Sequence, residues 1–127
     1  MSAWDPGDLD RVGSAEELRI AAERPDGTLR PSVIIWVVRV ADAIYIRSAH
    51  GPTNPWYVRA RGAGRGHIQA GGVDLDVTFT PVDPADAAAA ATITAAFEAK
   101  YGHFPRDIVE PVVNEDSVRA TLRIDPR

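Results

Sequence analysis

The sequence contains no cysteine among its 127 residues. That absence excludes disulfide bonds, thiol nucleophiles and thiolate metal sites together. The first eight residues, M-S-A-W-D-P-G-D, lack the basic start and the apolar core of a signal peptide. The longest strongly apolar run, residues 33–38, is far shorter than the about 20 residues that a membrane-spanning helix needs. We therefore expect a cytoplasmic protein that has no membrane partner.

Motifs of several catalytic classes are also missing. The histidines, His50, His67 and His103, are far apart and form no metal-binding pair at helical spacing. Ser48 lies near His50, but the G-x-S-x-G motif of serine hydrolases does not surround it. Residues 62–66 are rich in glycine, yet they lack the strand-to-helix context of a dinucleotide-binding loop. We therefore expect no bound metal and no serine nucleophile.

The charge is unevenly distributed along the chain. The net charge of −4 argues against nucleic acid as a partner, since nucleic-acid-binding domains are usually basic. Residues 24–67 nevertheless carry seven arginines and only two acidic residues, while the segments on either side are acidic. A basic block in an acidic protein favours a local anion site. The alternative is that these arginines are scattered over solvated strand faces.

Apolar and polar residues alternate with the two-residue period of half-buried strands in several segments. Tight-turn sequences join many of these segments, and helical segments do not alternate with them, which predicts a small antiparallel β-barrel covered by helices. We expect one domain over residues 1–127, mainly β in an α+β class, with six strands. The predicted strands cover about residues 18–23, 29–40, 44–48, 67–70, 73–82 and 118–125, and the predicted helices lie near 4–12, 56–63 and 84–101.

Three expectations concern the details of these elements. The second strand is apolar on both faces from Val33 onward, which predicts a central position in the sheet. The long helix is expected to start with Asp83 as its cap and Pro84 as its first residue, and to end at a left-handed Gly102. Residues 103–116 have no clear period and are expected to form a loop with at most a short helix.

Arginine and hydroxyl side chains occur where the predicted strands end. Arg30 begins the second strand, Arg47 and Ser48 end the third, and Arg59 lies on the short helix. Arginine binds phosphate through its planar fork of N–H groups, and a serine hydroxyl adds a further hydrogen bond. These residues are therefore candidates for binding a phosphate group.

Trp56 and Tyr57 lie beside these arginines in the sequence. Aromatic side chains stack on planar rings, so arginines next to an aromatic pair favour a phosphorylated heteroaromatic ligand. The alternative is that both aromatic residues pin the short helix to the barrel.

Several segments resemble known families. The segments R-P-D-G-T-L-R, I-W-V-V-R-V, I-Y-I-R-S, A-G-G-V, D-V-T-F and A-K-Y-G resemble an uncharacterised bacterial domain-of-unknown-function family over nearly the whole chain. The G-x-x-x-P-W-Y motif at residues 51–57, with the elements around it over about residues 17–82, resembles the FMN-binding split β-barrel superfamily. The likeness is to the branch of deazaflavin-dependent nitroreductases.

This resemblance implies a six-stranded split barrel, often dimeric, in which basic and hydroxyl side chains hold the phosphate of FMN or a deazaflavin. The branch carries basic residues in its first hairpin, whereas residues 24–30 here lack the lysine and contain Asp26. The segments at residues 47–48 and 55–57 match better. The resemblance therefore implies the fold more strongly than it implies the cofactor site.

Two hypotheses follow. In the first, the chain is a flavin- or deazaflavin-binding oxidoreductase that uses Trp56 as a wall for the ring and Tyr57 as a proton donor. The phosphate is then held by Arg30, Arg47, Ser48 and Arg59. In the alternative, the chain is a cofactor-free module that binds a small ligand or a protein. A homodimer is expected in both.

Overall fold

The computed structural model describes residues 3–127 of the chain, which form an α+β fold with seven strands and five helices. The elements, in order, are α1 (Pro6–Ser14), β1 (Leu18–Ala22), β2 (Val33–Ile35), β3 (Val38–Val40), β4 (Ala43–Arg47), α2 (Pro55–Ala63), β5 (Arg65–Ala70), β6 (Val73–Pro81), α3 (Ala87–Tyr101), α4 (Arg106–Val113), α5 (Glu115–Val118) and β7 (Thr121–Pro126).

All seven strands form one antiparallel sheet in the order β2-β1-β5-β6-β7-β4-β3. The two edge strands, β2 and β3, are consecutive in the chain and are joined only by Trp36 and Val37. Three steps between Cα atoms span at most about 11 Å, so the sheet must curl until its edges nearly meet. The result is a curled half-barrel. The prediction of an antiparallel, barrel-like α+β fold is therefore confirmed, but the prediction of six strands is wrong.

The extra strand arises because the predicted strand 29–40 is broken in the middle. Val33 and Ile34 lie on edge strand β2 and are 37% and 46% exposed, and the other half of the predicted strand forms β3 at the opposite edge of the sheet. The expected central position is therefore wrong for both halves. Val37 points into the core, and its N–H donates to the Tyr101 hydroxyl at 3.1 Å. At this point the backbone bonds to a side chain and not to a neighbouring strand. The chain crosses here from one sheet edge to the other.

Two hydrophobic clusters hold the helices on this sheet. One cluster joins α1 and α2 to the strands, and Tyr57 is its largest fully buried side chain. The other joins α3 to β3 and contains Ile93, Phe97 and Tyr101. These three residues lie four apart on α3, so they form one apolar stripe that packs on the sheet.

The ends of α3 differ from the prediction. Asp86 caps the helix by accepting from the N–H of Ala89 at 3.0 Å, so α3 begins at Ala87 and not at Pro84. The Asp83 side chain instead accepts from the N–H of the residue two positions later and closes a turn. Gly102 has φ of −62°, so it does not adopt the left-handed conformation.

The segment expected to be a loop contains two short helices. Asn114 separates them because its side chain accepts from the N–H of Ser117 at 2.9 Å and caps α5. Val118 is the last residue of α5, and the final strand begins at Thr121, three residues later than predicted. Over residues 3–127, none of the helices has the length and apolar character needed to cross a membrane.

Candidate functional site

Helix α2 presents two different faces. Pro55 occupies its first turn, and the helix ends at Gly64, whose φ of 71° lies in the left-handed region that glycine tolerates. Tyr57 and Ala60 are buried against the sheet. Arg59 is exposed, and the face on which it lies looks toward the connection between β1 and β2.

The connection between β1 and β2 contains a turn that is held by several hydrogen bonds. The Asp26 carboxylate accepts from the N–H of Thr28 at 3.0 Å and from its hydroxyl at 2.7 Å, and these bonds lower the pKa of Asp26. The following backbone is tied back by Arg24, which donates to the carbonyl of Leu29 at 2.8 Å. The turn therefore fixes Arg24 and Arg30 at its two ends.

A groove of about 370 Å³ lies between this turn and α2. Four arginines line it, together with the single acidic residue Glu23. Glu23 contacts one of these arginines, Arg65, at 3.2 Å. Among the residues that the structure describes, the Arg30 and Arg59 side chains make no hydrogen bond and no ion pair. The groove is lined by Glu23, Arg24, Pro25, Arg30, Val58, Arg59, Gly62, Ala63 and Arg65.

A small apolar crevice adjoins the groove. It has a volume of about 30 Å³, and it is lined by Trp56 and aliphatic residues as well as by Arg30 and Arg59. This volume is far below the about 300–1,000 Å³ of a typical ligand pocket. A planar ring would therefore lie across the mouth of the crevice, against Trp56, and not inside it. Arg30 and Arg59 stand where the polar groove and the aromatic wall meet.

Three of the six predicted site residues are thus brought together, namely Arg30, Trp56 and Arg59. The other three lie elsewhere. Ser48 is fully buried, and its hydroxyl contacts the carbonyl of Ala49 at 3.3 Å. Tyr57 is 2% exposed, and its hydroxyl points to the carbonyl of Arg119 at 3.4 Å.

Arg47 has a set of partners inside the protein. It is 2% exposed and donates to the hydroxyls of Thr94 at 2.7 Å and Thr121 at 3.1 Å. It also donates to the carbonyls of Ala90 and Val112, each at 3.1 Å, and it lies over the ring of a phenylalanine in α3. Burial lowers the pKa of Arg47 to about 10. We therefore assign Arg47, Ser48 and Tyr57 to the structural framework and remove them from the candidate site.

Three charged residues of the groove were not among the predicted site residues: Glu23, Arg24 and Arg65. Both arginines belong to the basic block, so the charge pattern contained a signal for them. Their convergence depends on strand pairing, because the N–H of Glu23 donates to the carbonyl of Arg65 at 3.1 Å. No local pattern in the sequence announces that β5 lies beside β1.

The protein is thus a curled antiparallel half-barrel that has a basic groove beside the side chain of Trp56. The chain belongs to the family described as "Uncharacterized protein conserved in bacteria (DUF2255)", whose model matches residues 8–124. The resemblance to a bacterial domain-of-unknown-function family is therefore confirmed. A comparison with curated protein sequences gives no significant match.

Solved structures share the fold at low sequence identity. A conserved hypothetical protein from Mycobacterium tuberculosis matches with a TM-score of 0.66 and 17% identity, covering 99% of this chain and 82% of that chain. An FAD-binding protein from Mesorhizobium loti matches with a TM-score of 0.62 and 16% identity, covering 98% and 91%. An F420 reductase matches with a TM-score of 0.53 and 14% identity, covering 98% and 96%.

Proposed function

We propose that this chain binds a flavin-type cofactor, FMN or a deazaflavin, and works as a small oxidoreductase. The observation that carries the proposal is the position of Arg30 and Arg59. These two arginines have no acidic partner among the described residues, and they stand between a basic groove and the wall formed by Trp56. A ligand with a phosphate and a planar ring fits this arrangement.

The residues present divide the binding of such a cofactor between them. Arg30 and Arg59 would hold the phosphate through charge-assisted hydrogen bonds, and Arg24 and Arg65 would raise the local positive potential. Trp56 would contact one face of the ring across the mouth of the crevice. A bound flavin or deazaflavin supplies hydride transfer, while the chain binds and orients it.

The structural neighbours support this choice of cofactor. Two of them are named as an FAD-binding protein and an F420 reductase, and both share the fold over nearly the whole of this chain. Their identity to this chain is 16% and 14%, so the basic groove, and not the likeness, carries the argument for a phosphate at this place.

The test is a titration of the purified full chain with FMN and, separately, with a deazaflavin. We expect a changed visible spectrum and a raised melting temperature, since a ligand at a hundred times its Kd stabilises the native state by about 2.7 kcal/mol. Arg59→Ala should weaken binding. The matched control is Arg61→Ala, because Arg61 lies on the same helix but lines neither the groove nor the crevice.

If neither cofactor changes the spectrum or the melting temperature of the wild-type chain, the cofactor proposal is wrong. If Arg61→Ala weakens binding as much as Arg59→Ala does, the groove is not the site.

A second candidate function is a cofactor-free module that binds a small phosphorylated ligand. It is favoured by the burial of Tyr57, the predicted proton donor, which does not line the groove. A raised melting temperature with ribose 5-phosphate, together with no response to FMN or a deazaflavin, would favour this module over the oxidoreductase.

We also propose that the chain forms a homodimer through edge strand β2. Leu29, Val33 and Ile34 are between 37% and 46% exposed on and beside this edge, and exposed apolar edge strands readily pair with other chains. Light scattering should give a dimer for the wild type and a monomer for Ile34→Glu. A monomeric wild type at high protein concentration would contradict the proposal.

A further inference from the structure

Among the described residues that line the groove, Glu23 alone is acidic. Its side chain is only 12% exposed, and its backbone is held both by the bond to Arg65 and by a bridge to Leu29 across the turn. A carboxylate at this place opposes the binding of any anion, because like charges repel. Its presence in a groove built from arginines therefore needs a separate explanation.

The contacts of the Glu23 carboxylate leave some of its hydrogen-bond acceptor positions without a partner. One oxygen lies 3.2 Å from Nε of Arg65, and the other lies 3.2 Å from Nη1 of Arg127. Arg127 is held in turn by Asp76, at 3.6 Å. An ionised carboxylate can accept about four hydrogen bonds, so two arginine contacts leave about two acceptor positions. The carboxylate is oriented by its partners and still able to accept from a ligand.

The groove thus combines two complementary kinds of group. Arg30 and Arg59 have donor groups that can bind a phosphate. Glu23 accepts hydrogen bonds and attracts hydroxyl groups, as an acidic residue does when it binds ribose hydroxyls in dinucleotide-binding proteins. A ligand that satisfies both has hydroxyl groups close to its phosphate.

We propose that Glu23 is a specificity-determining residue that accepts hydrogen bonds from the hydroxyls of a phosphorylated sugar or sugar alcohol. The groove then prefers phosphorylated polyols, including the ribityl phosphate of FMN, to phosphates that lack hydroxyls. This inference rests on the proposed function, because it requires that the groove bind a phosphate. The competing explanation is that Glu23 only neutralises Arg65 and Arg127.

The two explanations differ in whether a mutation of Glu23 changes the relative affinity for phosphates with and without hydroxyls. Glu23→Gln removes a negative charge, which should strengthen the binding of a phosphate without hydroxyls. It also weakens the acceptor for hydroxyls, since a hydrogen bond to a charged group is stronger than one to a neutral amide. We expect the ratio of the affinity for ribose 5-phosphate to that for phenyl phosphate to fall by about tenfold, which corresponds to about 1.4 kcal/mol.

The experiment is an NMR titration of the full chain with each of these two phosphates. Glu110→Gln is the matched control, since it removes the same charge from an exposed site on α4 and should leave the ratio unchanged. A second variant, Glu23→Asp, keeps the charge but shortens the side chain. It should weaken the binding of ribose 5-phosphate and leave phenyl phosphate nearly unaffected, which provides a test that does not depend on how Glu23→Gln folds.

The outcomes separate the inference from the function on which it rests. If the wild type binds both phosphates and Glu23→Gln changes both affinities by the same factor, Glu23 is structural and the inference is overturned, while phosphate binding stands. If Glu23→Asp leaves the ratio unchanged, the inference is overturned in the same way. If the wild type binds neither phosphate, the proposed function fails together with the inference.

Discussion

The indole of Trp36 lies flat on the phenol ring of Tyr101, with ring centroids 4.0 Å apart and planes within 1° of parallel. The Tyr101 hydroxyl also accepts from the N–H of Val37 at 3.1 Å and contacts the carbonyl of Glu16 at 2.7 Å. One side chain of α3 therefore holds the two residues at which the chain leaves one sheet edge and joins the other. This contact therefore fixes the crossing point between the two sheet edges.

Removal of the Tyr101 hydroxyl should destabilise the fold. Tyr101 is 1% exposed, and burial raises its pKa to about 12, so the hydroxyl is neutral and serves as a hydrogen-bonding group. Tyr101→Phe keeps the stacking on Trp36 but leaves the N–H of Val37 without this partner, which costs about 1–3 kcal/mol. Urea unfolding measures the change.

Tyr45→Phe is the control, because nothing in residues 3–127 hydrogen-bonds to the Tyr45 hydroxyl. Equal losses of stability in the two variants would show that the Tyr101 hydroxyl has no special role at the crossing point.

Replacement of Arg47 should affect stability and not ligand binding. Arg47→Met fills similar space but leaves buried acceptors on α3, α4 and β7 without their donor. Each buried group without a partner costs about 1–3 kcal/mol, so the free energy of unfolding should fall by more than about 2 kcal/mol. The folded fraction should bind FMN as tightly as the wild type does. A loss of binding at unchanged stability would return Arg47 to the site.

The candidate site was only partly predictable from the sequence, as Arg47 shows. The residue lies in the basic block with Arg30 and Arg59, and the three are alike in the sequence. The partners of Arg47 are between 43 and 74 positions away, on α3, α4 and β7. Only the tertiary structure distinguishes an arginine that is used inside the protein from one that is left for a ligand.

The fold was more predictable, because much of it follows local rules. The alternation of apolar and polar residues in β6 predicted a strand, and the glycine pair before it predicted a tight turn. In the structure Gly71 and Gly72 have φ of 56° and 84°. The break after Ile35 was not predictable in this way. A continuous apolar run is compatible with one buried strand or with two edge strands, and the choice depends on the neighbours that each half meets.

Two glycines near the end of α2 should respond in opposite directions to the same substitution. Gly62 lies inside the helix with open space around its Cα, so Gly62→Ala should stabilise the fold by about 0.5–1 kcal/mol. Gly64 has φ of 71°, and an alanine in the left-handed conformation costs about 1–2 kcal/mol. Thermal unfolding of both variants measures the difference. Changes of the same sign would contradict the assigned end of α2.

The outer face of the sheet carries a histidine between two carboxylates. The Nδ1 atom of His67 lies 2.8 Å from a carboxylate oxygen of Asp76, and its Nε2 atom contacts Asp74. The hydrogen bond to Asp76 is the largest of the effects that raise the pKa of His67 above its ordinary value of 6.5, and partial burial opposes it. Arg127 also faces this cluster, through its contact with Asp76 at 3.6 Å.

The raised pKa of His67 predicts how stability depends on pH. The native state binds the His67 proton more tightly than the unfolded state, so its contribution is fully present below pH 6.5 and is lost as the pH rises through the raised pKa. The wild-type free energy of unfolding should therefore fall more steeply above pH 6.5 than that of His67→Gln. Asp74→Asn should move this loss to lower pH, because it removes one of the charges that favour the imidazolium. Urea unfolding at a series of pH values measures all three, and parallel curves for the wild type and His67→Gln would show that the two carboxylates do not stabilise the charged histidine.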